Sequence, residues 1–574
     1  MMVTAEKVSR DRRTERPALS SLAMPLLIGV AAYLVIALAL LPWHMSFYYK
    51  DEIAYLAAAE RYARGQFSIA PNSLWGPLIQ WLVAIPLSMG VSAIVAARVV
   101  PLIIGAITLC SARRLAVTMR LPQGLQLVLL LTLAPYIARY ALMGPTDDLP
   151  LTAILIFYFS IIADPTYPSK RWAGAICGVL GGLAYYAKGF GLDFFCAHFV
   201  LCNALHWFAH DQKETRRLVI RQFLSGLGVL LVLAALWVAA LYQKYHVVTF
   251  GITGAYNHQI RAPESAGLPT EHMGFVKPPP STTVSIWEDP AELYNVPTAR
   301  ACCLKPWSAW QSGDAVRHQL LLFRLNLGRT ILAFLSYSPL VPAILFGSFC
   351  YCFAPLWPRR RSAEPSPVST TASLNTLRTT LRTAVFNEDR FAPTILLLSV
   401  PLYAAPYTLV FSDERFFWPV LIVFMVLGLR MIDTFTTAYA ISKRTRALIV
   451  GLFAASFLFY PLYKLATGQK ARDATASIAH QLVGTEVTGS SFGSNTDYGA
   501  SMVLGYYIHG KYYGSAAPGM TDEQIAADLA SKHVQYYFVW EQPAVPRPGM
   551  TLKRTIHGGF RTLLIYAVDP PVQR

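Results

Sequence analysis

Apolar residues in this chain come in runs too long for a globular core. Leu22 to Leu41 is almost unbroken, and comparable runs cover roughly 93 to 112, 123 to 141, 149 to 164, 172 to 187, 190 to 208, 221 to 243, 330 to 356, 392 to 411, 416 to 433 and 446 to 465. A helical run of about twenty apolar residues matches the ~30 Å hydrocarbon core of a bilayer. The pattern predicts a mainly α, polytopic transmembrane helical bundle of about eleven spans. Leu74 to Gly90 is left out of that count. Pro77 and Pro86 interrupt it, and Trp75 and Trp81 suit headgroup depth, so a re-entrant or surface helix is predicted there. Treating it as a span would invert every later loop.

Polar residues between the runs set the sidedness. Basic clusters at Arg113-Arg114, Lys170-Arg171, Arg216-Arg217, Arg359-Arg360-Arg361 and Lys443-Arg444-Arg446 fall at alternate ends of the runs and mark cytoplasmic loops. Lys7, Arg10, Arg12, Arg13 and Arg16 put the amino terminus on that same side, and the first run lacks a cleavage site, so it is expected to stay as an anchor. An odd number of spans leaves the carboxyl terminus outside. Residues 1–465 are expected to form the membrane module, with a first external loop at 43–92 and a long one at 244–329. The second of these is rich in Pro and Gly (Pro278-Pro279-Pro280, Gly251, Gly254) before an apolar pattern at Val316 to Leu327 that suits a segment lying along the membrane. A cytoplasmic loop at 357–391, Ser/Thr-rich from Ser362 to Thr383, is expected to be a flexible connector.

After residue 465 the pattern changes to short alternating elements. Ala474 to Leu482 reads as a helix, Glu486 to Phe492 as a strand, and Thr521 to Lys532 as a helix opened by a Thr-Asp-Glu cap. Gln535 to Trp540 and Leu563 to Val568 read as strands. Residues 466–574 are thus expected to form a small extracytoplasmic α/β domain. Its tyrosines, among them Tyr506, Tyr507, Tyr512, Tyr513, Tyr536 and Tyr537, together with Trp540, suit strand packing first and a sugar-binding surface second.

Composition agrees with the pattern: 54% hydrophobic, 14% charged, mean hydropathy +0.40. The net charge of +17 sits mainly in the short loops, which accounts for it without a nucleic-acid partner. Of the eight cysteines, Cys110, Cys177, Cys196, Cys202, Cys350 and Cys352 fall in spans, where a thiol is a small apolar group. Cys302 and Cys303 adjoin in an external loop and would close only a strained ring with each other. No metal cluster is visible among the cysteines.

Candidate chemistry gathers at the external ends of the spans. Asp51-Glu52 opens an amphipathic segment with Tyr55 one turn on, and a cap at Asp51 explains that residue as well as catalysis does. Thr146-Asp147-Asp148 places two more carboxylates at a membrane edge, where capping needs only one of them. Lys188, in Tyr185-Tyr186-Ala187-Lys188-Gly189, and Arg415, in Ser412-Asp413-Glu414-Arg415-Phe416, are cations on the side short of them. Either one alone reads as a snorkelling side chain; both together with the acids read as a site for phosphate and proton transfer. His258 and His272 are further candidate ligands to a divalent ion, though solvated loop histidines are the commoner case. A transporter or flippase of lipid-linked sugars would also want cations at the edge. It would, however, place ionisable groups near mid-bilayer and show an internal repeat.

The order of these motifs resembles the GT-C superfamily of integral-membrane glycosyltransferases, of the ArnT-like and protein O-mannosyltransferase kind. The residues that carry it are Asp51-Glu52 with Tyr55, Thr146-Asp147-Asp148-Leu149, Ala187-Lys188-Gly189, and Glu414-Arg415-Phe416 with Pro419. The resemblance implies a bacterial inner-membrane enzyme moving a sugar from a polyprenyl-phosphate donor to a glycan, lipid or protein hydroxyl, with inversion. By it, Asp51 and Asp147 are catalytic, and Glu52, Tyr55, Asp148, Lys188 and Arg415 bind substrate. A divalent ion, Mg or Mn, bridging Asp51 and Asp147 is compatible with oxygen ligands, without a complete ligand set. One departure stands out: where family members often carry Glu-Lys-Pro-Pro, this chain reads Ser73-Leu74-Trp75-Gly76-Pro77. That shifts the donor-phosphate role onto Lys188 and Arg415.

Overall fold

The computed structural model describes residues 19–46, 50–263, 307–353, 387–467, 470–516 and 519–569. The expectations for Cys302, Cys303, His272, Pro278 to Pro280, Arg359 to Arg361, the 362–383 connector and the basic amino terminus lie outside those residues.

A bundle of long helices makes up most of the molecule. In chain order it comprises α1 (Leu19–Leu40), α2 (Lys50–Ala63), α3 (Leu78–Ser88), α4 (Ala93–Thr118), α5 (Gln123–Leu142), α6 (Asp148–Ile162), α7 (Ala173–Ala187) and α8 (Phe190–Ala209). It continues with α9 (Lys213–Tyr245), α10 (Thr253–Gln259), α11 (Gly313–Tyr337), α12 (Val341–Phe353), α13 (Glu388–Leu409), α14 (Trp418–Ala438) and α15 (Lys443–Thr467). Nine helices among the described residues are long and apolar enough to cross a membrane; α3, α6, α7 and α12 are shorter apolar helices. The expected interfacial segment is α3, whose 11 residues rise only about 16 Å, so it cannot cross.

The expected span from 330 to 356 is two helices. Its first half belongs to α11, which begins 17 residues earlier at Gly313, and the break comes at Ser338-Pro339 before α12. Apolar patterning cannot separate a helix lying against the bundle from one entering it. Side-chain contacts do: Gln319, Asn326 and Thr330 of α11 all bond the short stretch 409–412. At the far end of α12, the Tyr351 hydroxyl donates to the Asp389 carbonyl at the start of α13.

Small residues let two of the helices touch backbone to backbone. A Cβ at Gly178 on α7 would lie 2.2 Å from the Gly226 carbonyl on α9, and one at Gly174 would lie 2.1 Å from the Gln222 carbonyl. This four-residue spacing of glycines is how helices pack closely where lipid removes the hydrophobic drive between them. It fixes α7, and with it Lys188 at its end.

The carboxyl-terminal unit is a three-layer α/β domain. It contains α16 (Lys470–Leu482), β1 (Ser491–Ser494), α17 (Tyr498–Tyr507), β2 (Lys511–Ser515), α18 (Asp522–Ser531), β3 (Tyr536–Trp540), β4 (Met550–Gly558) and β5 (Arg561–Val568). The strand order is β2-β1-β3-β5-β4, with β1 parallel to β2 and β3, and β5 antiparallel to β3 and β4. Ile478 and Leu482 of α16 and Met502 of α17 cover one face with Phe492, Tyr512, Phe538 and Trp540; Ile525 and Leu529 of α18 cover the other with Tyr537 and Tyr566. The Thr521 cap is present, its hydroxyl paired with Gln524 in a reciprocal capping box.

Four elements depart from the expected pattern. The first strand begins at Ser491, because residues 483–489 make turns. The segment around Tyr506-Tyr507 is helical, and β2 and β4 add two strands. Both β2 and β4 are short on apolar alternation, and β4 in particular reads exposed along most of its length. The domain rests on the bundle through α17, where Val503 joins the main core and the Tyr506 hydroxyl donates to Glu60 of α2 at 2.8 Å.

Candidate active site

The junction between α5 and α6 brings Asp147 and Asp148 to the face of the bundle where α7 ends. Asp147 stands at the N-cap of α6, but its backbone is already helical (φ −76°, ψ −20°) and its side chain makes no capping bond. Both carboxylates turn to Lys188 instead. The Lys188 Nζ donates to Asp148 Oδ1 at 2.5 Å and lies 3.7 Å from Asp147 Oδ1. Lys188 occupies the extended residue (φ −153°, ψ 133°) that ends α7, two positions before α8 begins. Its ammonium also faces the Phe416 ring at 4.2 Å, a cation–π contact suited to a site sheltered from water.

Arg415 ties this cluster to the start of α2. Its Nη2 lies 3.2 Å from Asp51 Oδ2 and its Nε 3.7 Å from Asp148 Oδ2. Asp51 is the second residue of α2, inside the first turn, so the cap expected of it falls elsewhere. Asp51, Asp147, Asp148 and Lys188 are each under 10% exposed. Buried charges of this kind persist only when paired, and here three carboxylates share two cations. Burial foremost, and then Asp148, pushes the Asp147 carboxyl up to about 7, with Lys188 and Arg415 pulling the other way.

Tyr55 lies among the same charges. Burial, then the Asp147 and Asp51 carboxylates, drive its phenol well above the usual range, against the pull of Arg415. It therefore stays a neutral hydroxyl, edge-on to Trp75 at 5.7 Å. Trp75 belongs to the segment where the chain departs from the family motif, and that segment is held by backbone contacts to the loop before α10, including Ile252 N to the Ser73 carbonyl at 2.8 Å.

Glu52, expected at the substrate beside Asp51, is instead wholly buried and bound to Arg98 of α4. The same guanidinium donates to the carbonyls of His44 at 2.5 Å and Ser46 at 2.7 Å, so one side chain pins both the end of the first span and the start of α2. Gly144 packs on this pair at φ +93°, where a Cβ would lie 2.7 Å from Arg98 Nη1. Sequence reading passed over Arg98. The signal was there: a lone arginine within the apolar run Ala96-Ala97-Arg98-Val99-Val100.

Beside Lys188 opens a cavity of about 410 Å³, walled chiefly by Phe190, Phe250, Tyr407, Phe411 and Phe416, with Thr253 and Asn257 as polar groups on its margin. His258 faces away from the carboxylates; its ring stacks on Trp307 at 4.1 Å and bonds Gln319 at 3.2 Å. Among the described residues no group of three or more His, Cys, Asp or Glu side chains is arranged to hold a metal ion. Asp51 pairs with Arg415 at 3.2 Å, and Asp147 lies 3.7 Å from Lys188.

Fold and site together define a polytopic helical membrane protein with a charged cluster at one end of its bundle and a small α/β domain docked beside it. No family model matches the chain, and no curated protein matches it. Among solved structures it is similar to ArnT from Cupriavidus metallidurans bound to undecaprenyl phosphate, at 12% identity and TM-score 0.49, over 96% of this chain and 98% of that one. It is also similar to the Archaeoglobus fulgidus oligosaccharyltransferase, at 12% identity and TM-score 0.49, over 91% of this chain and 70% of that one. A third likeness is to the mycobacterial arabinofuranosyltransferase AftD, at 12% identity and TM-score 0.42, over 97% of this chain and 40% of that one. Identities and scores this low leave the function to be argued from the residues of this chain.

Proposed function

We propose that this protein is a membrane glycosyltransferase that moves a sugar from a polyprenyl-phosphate donor to the hydroxyl of an acceptor presented at the site face, with inversion. The observation that carries the reading is the convergence of Asp51, Asp147, Asp148, Lys188 and Arg415 from four separate parts of the chain, with Lys188 also lining an aromatic-walled cavity. A lipid-linked phosphate needs hydrocarbon contact on one side and cations on the other, and Lys188, which pairs with the carboxylates and lines the cavity, joins the two.

Donor phosphate draws Lys188 and Arg415 from the carboxylates they now neutralise, which frees Asp51. Asp51 then takes the proton of the acceptor hydroxyl as its oxygen bonds to the anomeric carbon. The bond from that carbon to the phosphate oxygen breaks, and polyprenyl phosphate leaves with the electron pair. Lys188 and Arg415 stabilise the charge it carries away. Asp147, ionising near neutrality, and Tyr55, a neutral hydroxyl, position the acceptor. No step is routed through a metal. A positioned base contributes roughly 100- to 10,000-fold, and stabilisation of the leaving group about as much in a sheltered site. The reading places the site face, and with it the terminal α/β domain, on the extracytoplasmic side of a bacterial inner membrane.

The test is purified protein in detergent with a panel of polyprenyl-phosphate sugars, scoring released polyprenyl phosphate by mass spectrometry. Wild type is expected to turn over at least one donor, and Asp51→Asn to lose at least a hundredfold in kcat with little change in donor KM. No release from any donor, with translocation of lipid-linked sugar in proteoliposomes, would make the protein a flippase instead.

A further inference from the structure

Arg415 joins Asp51 to Asp148, yet it sits on a single 3-10 turn, Glu414–Phe417, which is too short to hold a direction by itself. Part of the restraint is local: the Asp413 side chain accepts from the Arg415 backbone N–H at 3.1 Å. The rest comes from the neighbouring residue. Glu414 accepts both arms of the Arg139 guanidinium, at 3.3 and 3.2 Å, and the Tyr140 hydroxyl at 3.2 Å. Its backbone carbonyl accepts from the Tyr337 hydroxyl at 2.7 Å.

These partners are themselves held. The Tyr140 ring lies flat on Trp418 at 3.7 Å, at the start of α14. The Arg139 guanidinium faces the rings of Tyr140 and Tyr460, 5.4 Å from each. The Tyr136 hydroxyl donates to the carbonyls of Tyr337 and Phe457. Side chains from α5, α11 and α15 therefore meet on Glu414, one residue before the arginine that bridges the carboxylates.

A forked arginine–carboxylate pair fixes orientation as well as distance, because two parallel bonds resist the rotation that one would allow. Fastening Glu414 on one side of the turn fixes the side on which Arg415 emerges. We infer that Arg139 and Glu414 form a positioning pair which sets the reach of the Arg415 guanidinium between Asp51 and Asp148, and so the placement of positive charge at the departing phosphate. The inference rests on the glycosyl-transfer reading above. The bland alternative is an ion pair that merely ties α5 to the loop.

The two are separated by a double-mutant cycle on polyprenyl-phosphate release, with each variant first checked for a monodisperse, cooperative melt in detergent. Glu414→Gln is expected to lower kcat roughly tenfold to a hundredfold with donor KM within about threefold, and Arg139→Lys, which keeps the charge but not the fork, to do the same. In an Arg415→Ala background, Glu414→Gln is expected to cost nothing further. Tyr337→Phe, which removes one hydroxyl and no charge, serves as the second probe if Glu414→Gln does not fold, with the same dependence on Arg415 expected. An equal loss in both backgrounds overturns the positioning role and leaves the transfer reaction standing. Absence of turnover in wild type overturns the reaction and the inference with it.

Discussion

Asp147 and Asp148 adjoin in the chain but meet their surroundings differently. Asp148 takes the close bond from Lys188, while Asp147 stands 3.7 Å from the same ammonium. Since burial holds its carboxyl up near 7, above the ordinary value of about 3.9, the folded state keeps a proton that the unfolded chain gives up. The linked stability is full below about pH 4 and declines as pH rises toward 7. In turnover the sign reverses, because the ionised form is the working one. The rate is expected to climb with pH through about 7, and Asp147→Asn to flatten that limb, as a pH profile of kcat/KM on a neutral acceptor would show. A profile with the limb intact in Asp147→Asn would assign it elsewhere. A substitution at Arg415 tests geometry rather than charge: Arg415→Lys keeps the cation but cannot reach two carboxylates from two nitrogens. A tenfold or larger loss in kcat is expected. Of this cluster, the residue types and their placement at span ends are legible in the chain, and so is the likelihood of paired charges at a membrane edge. The pairings of Glu52 with Arg98 and of Glu414 with Arg139 are not. Each is a meeting of side chains 46 or more positions apart, or, for Arg139 and Glu414, 275 apart, and one-dimensional pattern carries no register between helices.

Helix packing is what delivers those residues to one place. The α7–α9 contact leaves no room at Gly178, so Gly178→Leu should force the helices apart, destabilise the fold by about 1–3 kcal/mol and shift Lys188. A lowered melting temperature together with reduced turnover is the expected result; a melt unchanged within a degree would mean that the contact is slack. Arg98 fastens α4, the end of the first span and α2 at one point. Removing it strands the buried Glu52 charge, so Arg98→Met is expected to cost about 3–5 kcal/mol. Glu52→Gln with Arg98→Met should recover part of that loss, which thermal melts of the three variants would register. Element boundaries show the same division between pattern and packing. The apolar runs mark where helices lie, but α11 runs on from Gly313 because its amphipathic start is stabilised by Gln319, Asn326 and Thr330 against residues 409–412. That partner stretch is invisible to a local reading.

For the molecule as a whole, the terminal α/β domain is tied to the bundle at α2, the helix whose first turn carries Asp51. Tyr506→Phe removes the bond to Glu60 and is expected to weaken the docking by about 1 kcal/mol, seen as faster amide hydrogen exchange along α17 while the bundle itself still melts normally. Hydrophobic patterning by itself determined the helical bundle and the shift to a small α/β domain near residue 465; it marked eleven apolar runs, and nine helices among the described residues are long and apolar enough to cross a membrane. Those follow from transfer of side chains between water and hydrocarbon, which acts on each segment separately. Tertiary structure alone decided which charges pair, that Glu52 is sealed against Arg98 while Asp51 faces Arg415, that a forked ion pair stands behind that arginine, and that the domain seats on α2. Those outcomes depend on how helices turn and slide against one another, and that is settled by packing and by pairing buried charges across the whole assembly.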